Sequence, residues 1–371
     1  MNVKVSSAAA IFLCLAAWTS PKPGAAQTAS LSKAKAEAEA KGYIFETSHD
    51  AIVAKAKKEG KVVVFSSQDD AAIRATAEAF RKKYPFIDVK ATEIAGTDTY
   101  KRMVQELALG KTTEWDVNYV AFDFYNDYLP HQKKFDILGM AKHGVLRIPV
   151  EMIDPVNRHI VVLQTNIGVL AYNKKLVSEN TLPATFEDML KPEYKGRKFS
   201  TDIRPRAIAA LVPAWGLEKV VAYAKRLAAQ EPIWNRGDSR TLPQMVGGEV
   251  PMTLGMNYKS FLRFKPKDVQ DVLGAKILEP VPVRLTEAEG VSATAQNPYA
   301  GLLWLEFQAS PEGQAILDKV DLAASHLTPG TFHEKATRGK KLSVLGWEHY
   351  PKMGKYEEEI VKAYGFPRAD K

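Results

Sequence analysis

The stretch from Lys61 to Val120 limits the fold more than any other part of the chain. Its first run, KVVVFSS (61–67), is apolar throughout and ends in small polar residues. That is the pattern of a strand buried on both faces. Ala71–Tyr84 follows with Ile73, Ala77 and Phe80 at helical spacing, and it stops before Pro85. Ile87–Ile94 reads as a second strand, Thr99–Leu109 as a helix closed by Gly110, and Asp116–Val120 as a third strand. Strand, helix, strand, helix, strand predicts a parallel, doubly wound α/β sheet.

A second unit begins after His159–Asn173 (HIVVLQTNIGVLAYN). This β-branched run is longer than an ordinary strand, and it reads as one strand crossing between two lobes. Short helices are expected at Thr185–Leu190 and Ser239–Val246, and longer ones at Arg206–Trp215 and Leu217–Ala229. Strands are expected at Arg197–Thr201, Val250–Gly255, Ala275–Arg284 and Val291–Ala295. Helices are expected at Pro298–Ala309 and Pro311–Lys319, and the last 50 residues read as helical and exposed. A length of 371 residues suits about two domains.

The N-terminus reads as a targeting segment rather than as part of the fold. Lys4 precedes an apolar run, Ala8–Trp18, that is too short to span a bilayer and is broken by Pro21 and Pro23. Gly24-Ala25-Ala26 then supplies the small residues that signal peptidase needs, so residues 1–26 are expected to be a cleaved secretory signal. No later stretch is apolar enough to cross a membrane, and the expected location is the periplasm.

Composition removes several classes of function. Cys14 is the single cysteine and lies in the signal, so the exported chain has no thiol nucleophile and no disulfide. Removing the signal takes away Lys4 and Lys22 and no acid, lowering the net charge from +8 to +6. That excess suits an anionic ligand but forms no basic stripe interleaved with aromatics, so no nucleic-acid partner is expected. No glycine-rich phosphate loop, G-x-S-x-G or H-E-x-x-H is present, and none of the seven histidines pairs at i, i+4. No catalytic residue, resident metal or cofactor is expected.

In parallel sheets ligands gather beyond the carboxyl ends of strands, where helix N-termini present free N–H groups. Five such places are candidates. Ser66, Ser67, Gln68 and Asp69 follow the first strand, and Asp123 follows the third. Arg204 follows the strand at 197–201 and is suited to clamping a carboxylate or phosphate. Asn235 and Arg236 precede a helix, and Asn257, Tyr258 and Lys259 follow the strand at 250–255. Each also has a plain structural reading as a cap or turn.

Several segments in order resemble the periplasmic solute-binding proteins of ABC importers, in particular the ferric-ion-binding cluster with its phosphonate, thiamine and polyamine relatives. They are KVVVFSSQDD (61–70), AEAFRKKYP (77–85), WDV (115–117), GVLAYNKKLV (168–177), YKGRKFSTD (194–202), GGEVPMTLGMNY (247–258) and NPYAGLLWLEFQASPEGQAIL (297–317). The resemblance implies the type 2 periplasmic binding fold: two doubly wound α/β lobes joined by two hinge strands, here near 164–168 and 283–290. One lobe would comprise 27–165 plus 288–371, the other 166–287. It also implies a small solute held between the lobes, an inner-membrane ABC permease as partner, and a monomeric receptor that undergoes hinge closure.

The ferric members of that cluster hold iron with a first-loop histidine, a glutamate after the third strand and two adjacent tyrosines, completed by an anion. Here the corresponding positions carry Asp69, Ala121 or Phe122, Tyr258 and Lys259. A protonated ammonium offers no lone pair to a metal. The anion side survives in Arg204, Asn235 and Asn257. The expectation is therefore a small solute bearing a carboxylate, phosphonate or phosphate, with ferric iron as the alternative. A periplasmic enzyme or a sensor module on the same scaffold is a further alternative.

Overall fold

The computed structural model describes residues 25–111 and 114–366. The expected signal segment therefore lies almost wholly outside the described residues. Among them ten strands make one mixed sheet: β1 (Lys61–Ser66), β2 (Asp88–Glu93), β3 (Val117–Tyr119), β4 (Ile160–Asn173), β5 (Ser200–Asp202), β6 (Ile233–Asn235), β7 (Met252–Asn257), β8 (Leu273–Lys276), β9 (Val281–Val291) and β10 (Leu342–Leu345). The order is β2-β1-β3-β9-β4-β7-β5-β6, with β10 on β9 and β8 on β4.

The first unit forms as its sequence predicts. β1 lies parallel to β2 and β3, and Val62 and Val64 are fully buried. The helix Asp70–Lys83 turns Ile73, Ala77 and Phe80 inward. The helix Pro298–Ala309 is buried on every side, which its Leu-, Trp- and Phe-rich sequence permits. Its Trp304 and Phe307 meet Phe80 edge-on at centroid distances of 5.3 and 5.6 Å.

β4 is a single strand of 14 buried residues that changes partner midway. Ile160–Ile167 pairs antiparallel with β9, and Gly168–Asn173 pairs with β7 and β8. One side of the sheet thus continues into the other through β4 and β9.

Four expectations are corrected. The sheet is not parallel throughout, because β9 runs antiparallel to β3 and β4. The helix expected over Arg206–Trp215 is two short pieces, Arg206–Ala209 and Val212–Trp215. Pro213 has no N–H to continue the first piece, but it fits the opening turn of the second. Strand structure stops between Lys276 and Val281, then runs unbroken to Val291. The last 50 residues are not an exposed helical tail. They supply β10, and the helix Met353–Tyr364 buries Tyr356, Ile360 and Tyr364. That helix packs on Leu217–Ala228, and Tyr364 lies 4.7 Å from Trp234, centroid to centroid.

Candidate functional site

On antiparallel strands, directly opposed residues share a face, as do alternate residues along one strand. Asn166 on β4 stands opposite Arg284 on β9. Asn166, Gly168, Pro282 and Arg284 accordingly line one cavity of about 160 Å³. Its other walls come from the carboxyl ends of β5 and β7 and from the segments that follow β5 and β6, including Asp202, Arg204, Asp238 and Asn257. Gly255 is a glycine for a stated reason: its φ is +79°, and a Cβ there would lie 2.6 Å from that of Ala207. The close approach brings the short helix Arg206–Ala209 onto β7.

A second cavity of about 150 Å³ lies beside the first, and Arg206 and Arg284 line both. The Arg206 guanidinium is 2.8 Å from Asp123 and 3.9 Å from Glu357. Arg284 differs. It is partly buried and, among the described residues, its side chain has no hydrogen-bond or ion-pair partner. Burial, and then repulsion from Arg206, push its pKa below the usual arginine value. An arginine so placed remains charged, and an unpaired cation withdrawn from water is costly. The Asn166 carboxamide, also buried and without a partner among the described residues, lines the same cavity. The arrangement presents a cation and an amide donor from adjacent strands, which suits an oxyanion.

The sequence-predicted residues fall into three groups. Arg204, Asn257 and Asp123 line the cavities. Arg204 is not a free clamp: it forms a forked pair with Asp202, with Nη2 at 2.8 Å and Nε at 3.2 Å. Asn257 caps the helix Tyr258–Phe264 by accepting from the Lys259 N–H at 3.0 Å.

The first-loop residues are already occupied by the protein itself. Both hydroxyls of Ser66 and Ser67 and the Ser67 N–H donate to the buried carboxylate of Glu287. Gln68 donates to Gln308 at 2.7 Å. An internal carboxylate thus takes the donors that the sequence offered to a ligand. Burial raises the Glu287 pKa, and burial together with Glu287 pushes that of Glu289 up to about 8.

The third group ties distant segments together. Asp69 lies 2.6 Å from Arg263, and Lys259 lies 2.6 Å from Asp321 and 4.0 Å from Asp69. Burial pushes the Asp321 pKa up to about 7, although Lys259 opposes the shift. Tyr258 is half-buried beside Phe332, with centroids 5.3 Å apart. Asn235 donates to Ser200 at 2.9 Å, and Arg236 is exposed. No group of three or more His, Cys, Asp or Glu residues converges to hold a metal among the described residues.

Sequence reasoning missed Asn166 and Arg284, and took Arg206 as the end of the Asp202–Arg206 loop and the start of a helix, with Arg204 rather than Arg206 as the clamp. The alternation in VPVRLT was the available signal: Pro282, Arg284 and Thr286 share one face of β9.

The fold is shared with solved binding proteins. Apo ferric ion-binding protein A of Pasteurella haemolytica is 18% identical, with a TM-score of 0.63 over 84% of this chain and 100% of that one. Trichodesmium IdiA (FutA), solved with iron and citrate ligands, is 20% identical, with a TM-score of 0.62 over 82% and 98%. The substrate-binding protein of an ABC transporter from Agrobacterium tumefaciens is 20% identical, with a TM-score of 0.60 over 83% and 96%. At these identities the likeness shows the fold, the two-lobed type 2 periplasmic binding architecture. Among curated proteins none matches the sequence. No helix among the described residues is long and apolar enough to cross a membrane. Residues 75–331 match the family described as bacterial extracellular solute-binding protein, and on that match the chain belongs to this family.

Proposed function

We propose that the chain is the periplasmic receptor of an ABC importer for a small anionic solute, bound at Arg284 and Asn166 and delivered to an inner-membrane permease. The observation that carries this reading is the unpaired Arg284 guanidinium facing two adjoining cavities. An oxyanion there satisfies a charge that the protein leaves open, and gains charge-assisted hydrogen bonds from Arg284 and Asn166. Arg206, already shared with Asp123, adds field rather than a free fork.

The lobes would be 27–165 with most of 288–371, and 166–287, with the helix Met353–Tyr364 seated on the second. β4 and β9 are the hinge strands. Capture is a hinge closure with no covalent step, and residues 1–26 direct export and are cleaved.

Ferric iron is the second reading. It is favoured by the shared fold with a protein named for ferric-ion binding and with one solved with iron and citrate ligands, and by the half-buried phenol of Tyr258. Against it, Lys259 is paired with Asp321 and Asp69 with Arg263, so neither is free to meet a metal.

Native mass spectrometry of protein released gently from a periplasm separates the two. An added mass of a small carboxylate, phosphonate or phosphate ester is expected. An added mass of iron overturns the anion reading in favour of the ferric one.

A further inference from the structure

The two cavities that meet at Arg284 differ in their aromatic content. The one on the β5–β7 side has, among the described residues, no aromatic side chain in its wall, which mixes Asp202, Arg204, Asp238 and Asn257 with aliphatic residues. The other is walled chiefly by Tyr100, Tyr119, Phe122, Tyr350, Leu285 and Leu345. Phe122 stacks on Tyr350 with centroids 3.6 Å apart, and Tyr100 meets Tyr119 edge-on at 5.0 Å. Two of the phenol groups are already used inside the protein: Tyr350 donates to the Leu285 carbonyl, and Tyr100 to that of Ile94 at 3.3 Å. Two carboxylates also line this second cavity, Asp123 and Glu357, and their ion pairs are with Arg206, at 2.8 and 3.9 Å. This leaves an aromatic-walled chamber of mixed polarity in which the Arg284 guanidinium has no partner among the described residues.

A bare inorganic oxyanion would satisfy Arg284 and leave those rings against water. Aromatic rings beside a polar anchor favour a ligand that carries an apolar body as well as a charge. The volume of about 150 Å³ matches the room that one benzene ring needs. Aromatic walls favour a ring, because stacked and edge-on contacts add to simple area burial.

We infer that the solute is a ring-bearing anion: a carboxylate, phosphonate or phosphate ester attached directly to, or within about two bonds of, a six-membered aromatic ring. The oxyanion meets Arg284 and Asn166, and the ring enters the Tyr100–Tyr119–Phe122–Tyr350 chamber. This rests on the anionic-solute reading. It predicts which of two similar anions the receptor prefers.

The test is isothermal titration calorimetry of the full exported chain against matched pairs: benzoate and acetate, phenylphosphonate and methylphosphonate, phenyl phosphate and inorganic phosphate. Each ring-bearing member is expected to bind at least tenfold more tightly than its partner. Thr97 is exposed at the chamber wall, and Thr97→Trp should abolish that preference while keeping the weak binding of the small anions. Equal affinity within every pair overturns the ring inference and leaves the anion reading standing. No binding by any of the six overturns both. The wild-type panel decides by itself, so a variant that failed to fold would not blunt the test.

Discussion

Asn166 and Arg284 face each other across the two strands that carry the chain from one side of the sheet to the other, and neither side chain has a hydrogen-bond or ion-pair partner among the described residues. Cross-strand neighbours are the unit by which a sheet holds side chains in place. Here that unit presents a cation and an amide to a cavity instead of to each other.

Removing Arg284 should separate affinity from stability. Arg284→Met keeps the stem and deletes a partly buried, unpaired charge, so the unliganded protein should melt at the same temperature or higher. Affinity for an anionic solute should fall by ~1.5–3 kcal/mol, the loss of charge-assisted hydrogen bonds. Melting curves with and without ligand read both. A destabilised, ligand-free variant would mean that Arg284 is structural.

The Lys259–Asp321 pair makes a second prediction. Asp321 has 1% of its side chain exposed, and the ammonium lies 2.6 Å away. Lys259→Met leaves that carboxylate without its cation and should cost ~3 kcal/mol. Asp321→Asn in the same chain should restore most of the loss, because Gln164 also reaches Asp321 at 3.2 Å and tolerates an amide. A double-mutant cycle in urea unfolding measures the coupling, and simple additivity would deny the pair.

Much of the scaffold was legible because it follows period and punctuation. β1 carries an apolar run, the helix after it turns Ile73, Ala77 and Phe80 inward, and β4 announced itself by length. β10 was not legible: LSVL is four residues inside a polar, glycine-dotted tail, and only pairing with β9 makes it a strand. The site was half legible. The loops after strands were the right places to look, yet Ser66 and Ser67 spend their donors on Glu287, whose identity as their partner depends on a contact 220 residues away. Arg284 was hidden for a related reason. A lone arginine in a strand reads as a surface residue until the opposite strand and its cavity are in view.

Gly255 should tolerate no side chain. At φ +79° an added Cβ costs ~1–2 kcal/mol in backbone strain, and its clash with Ala207 adds to that. Ala207→Gly in the same chain should recover the steric part and leave the backbone part. Both Gly255→Ala proteins should also bind solute more weakly, since Ala207 and Gly255 line the cavity. Denaturant midpoints for the single and double variants separate the two contributions. Full recovery in the double variant would show that the backbone conformation is not strained.

The last prediction concerns acid. His333 is fully buried, with Nδ1 3.4 Å from the Thr165 hydroxyl and Nε2 without a partner. Burial, with smaller contributions from His326 and Lys259, holds its pKa down at about 4, against 6.5 for a free histidine. Between about pH 6.5 and 4 the unfolded chain therefore binds a proton that the native state refuses. Stability falls through that window as pH falls, by about 1.4 kcal/mol per pH unit for one such group. His333→Leu removes this group alone, so between about pH 6.5 and 4.5 wild type should lose stability faster than the variant, by about 1.4 kcal/mol per pH unit. Asp321 has its pKa raised to about 7 and pulls the other way in both proteins, and so cancels in that difference. Urea melts at pH 7, 5.5 and 4.5 supply the slopes, and parallel slopes would mean that His333 takes up its proton as readily in the native state as in the unfolded one.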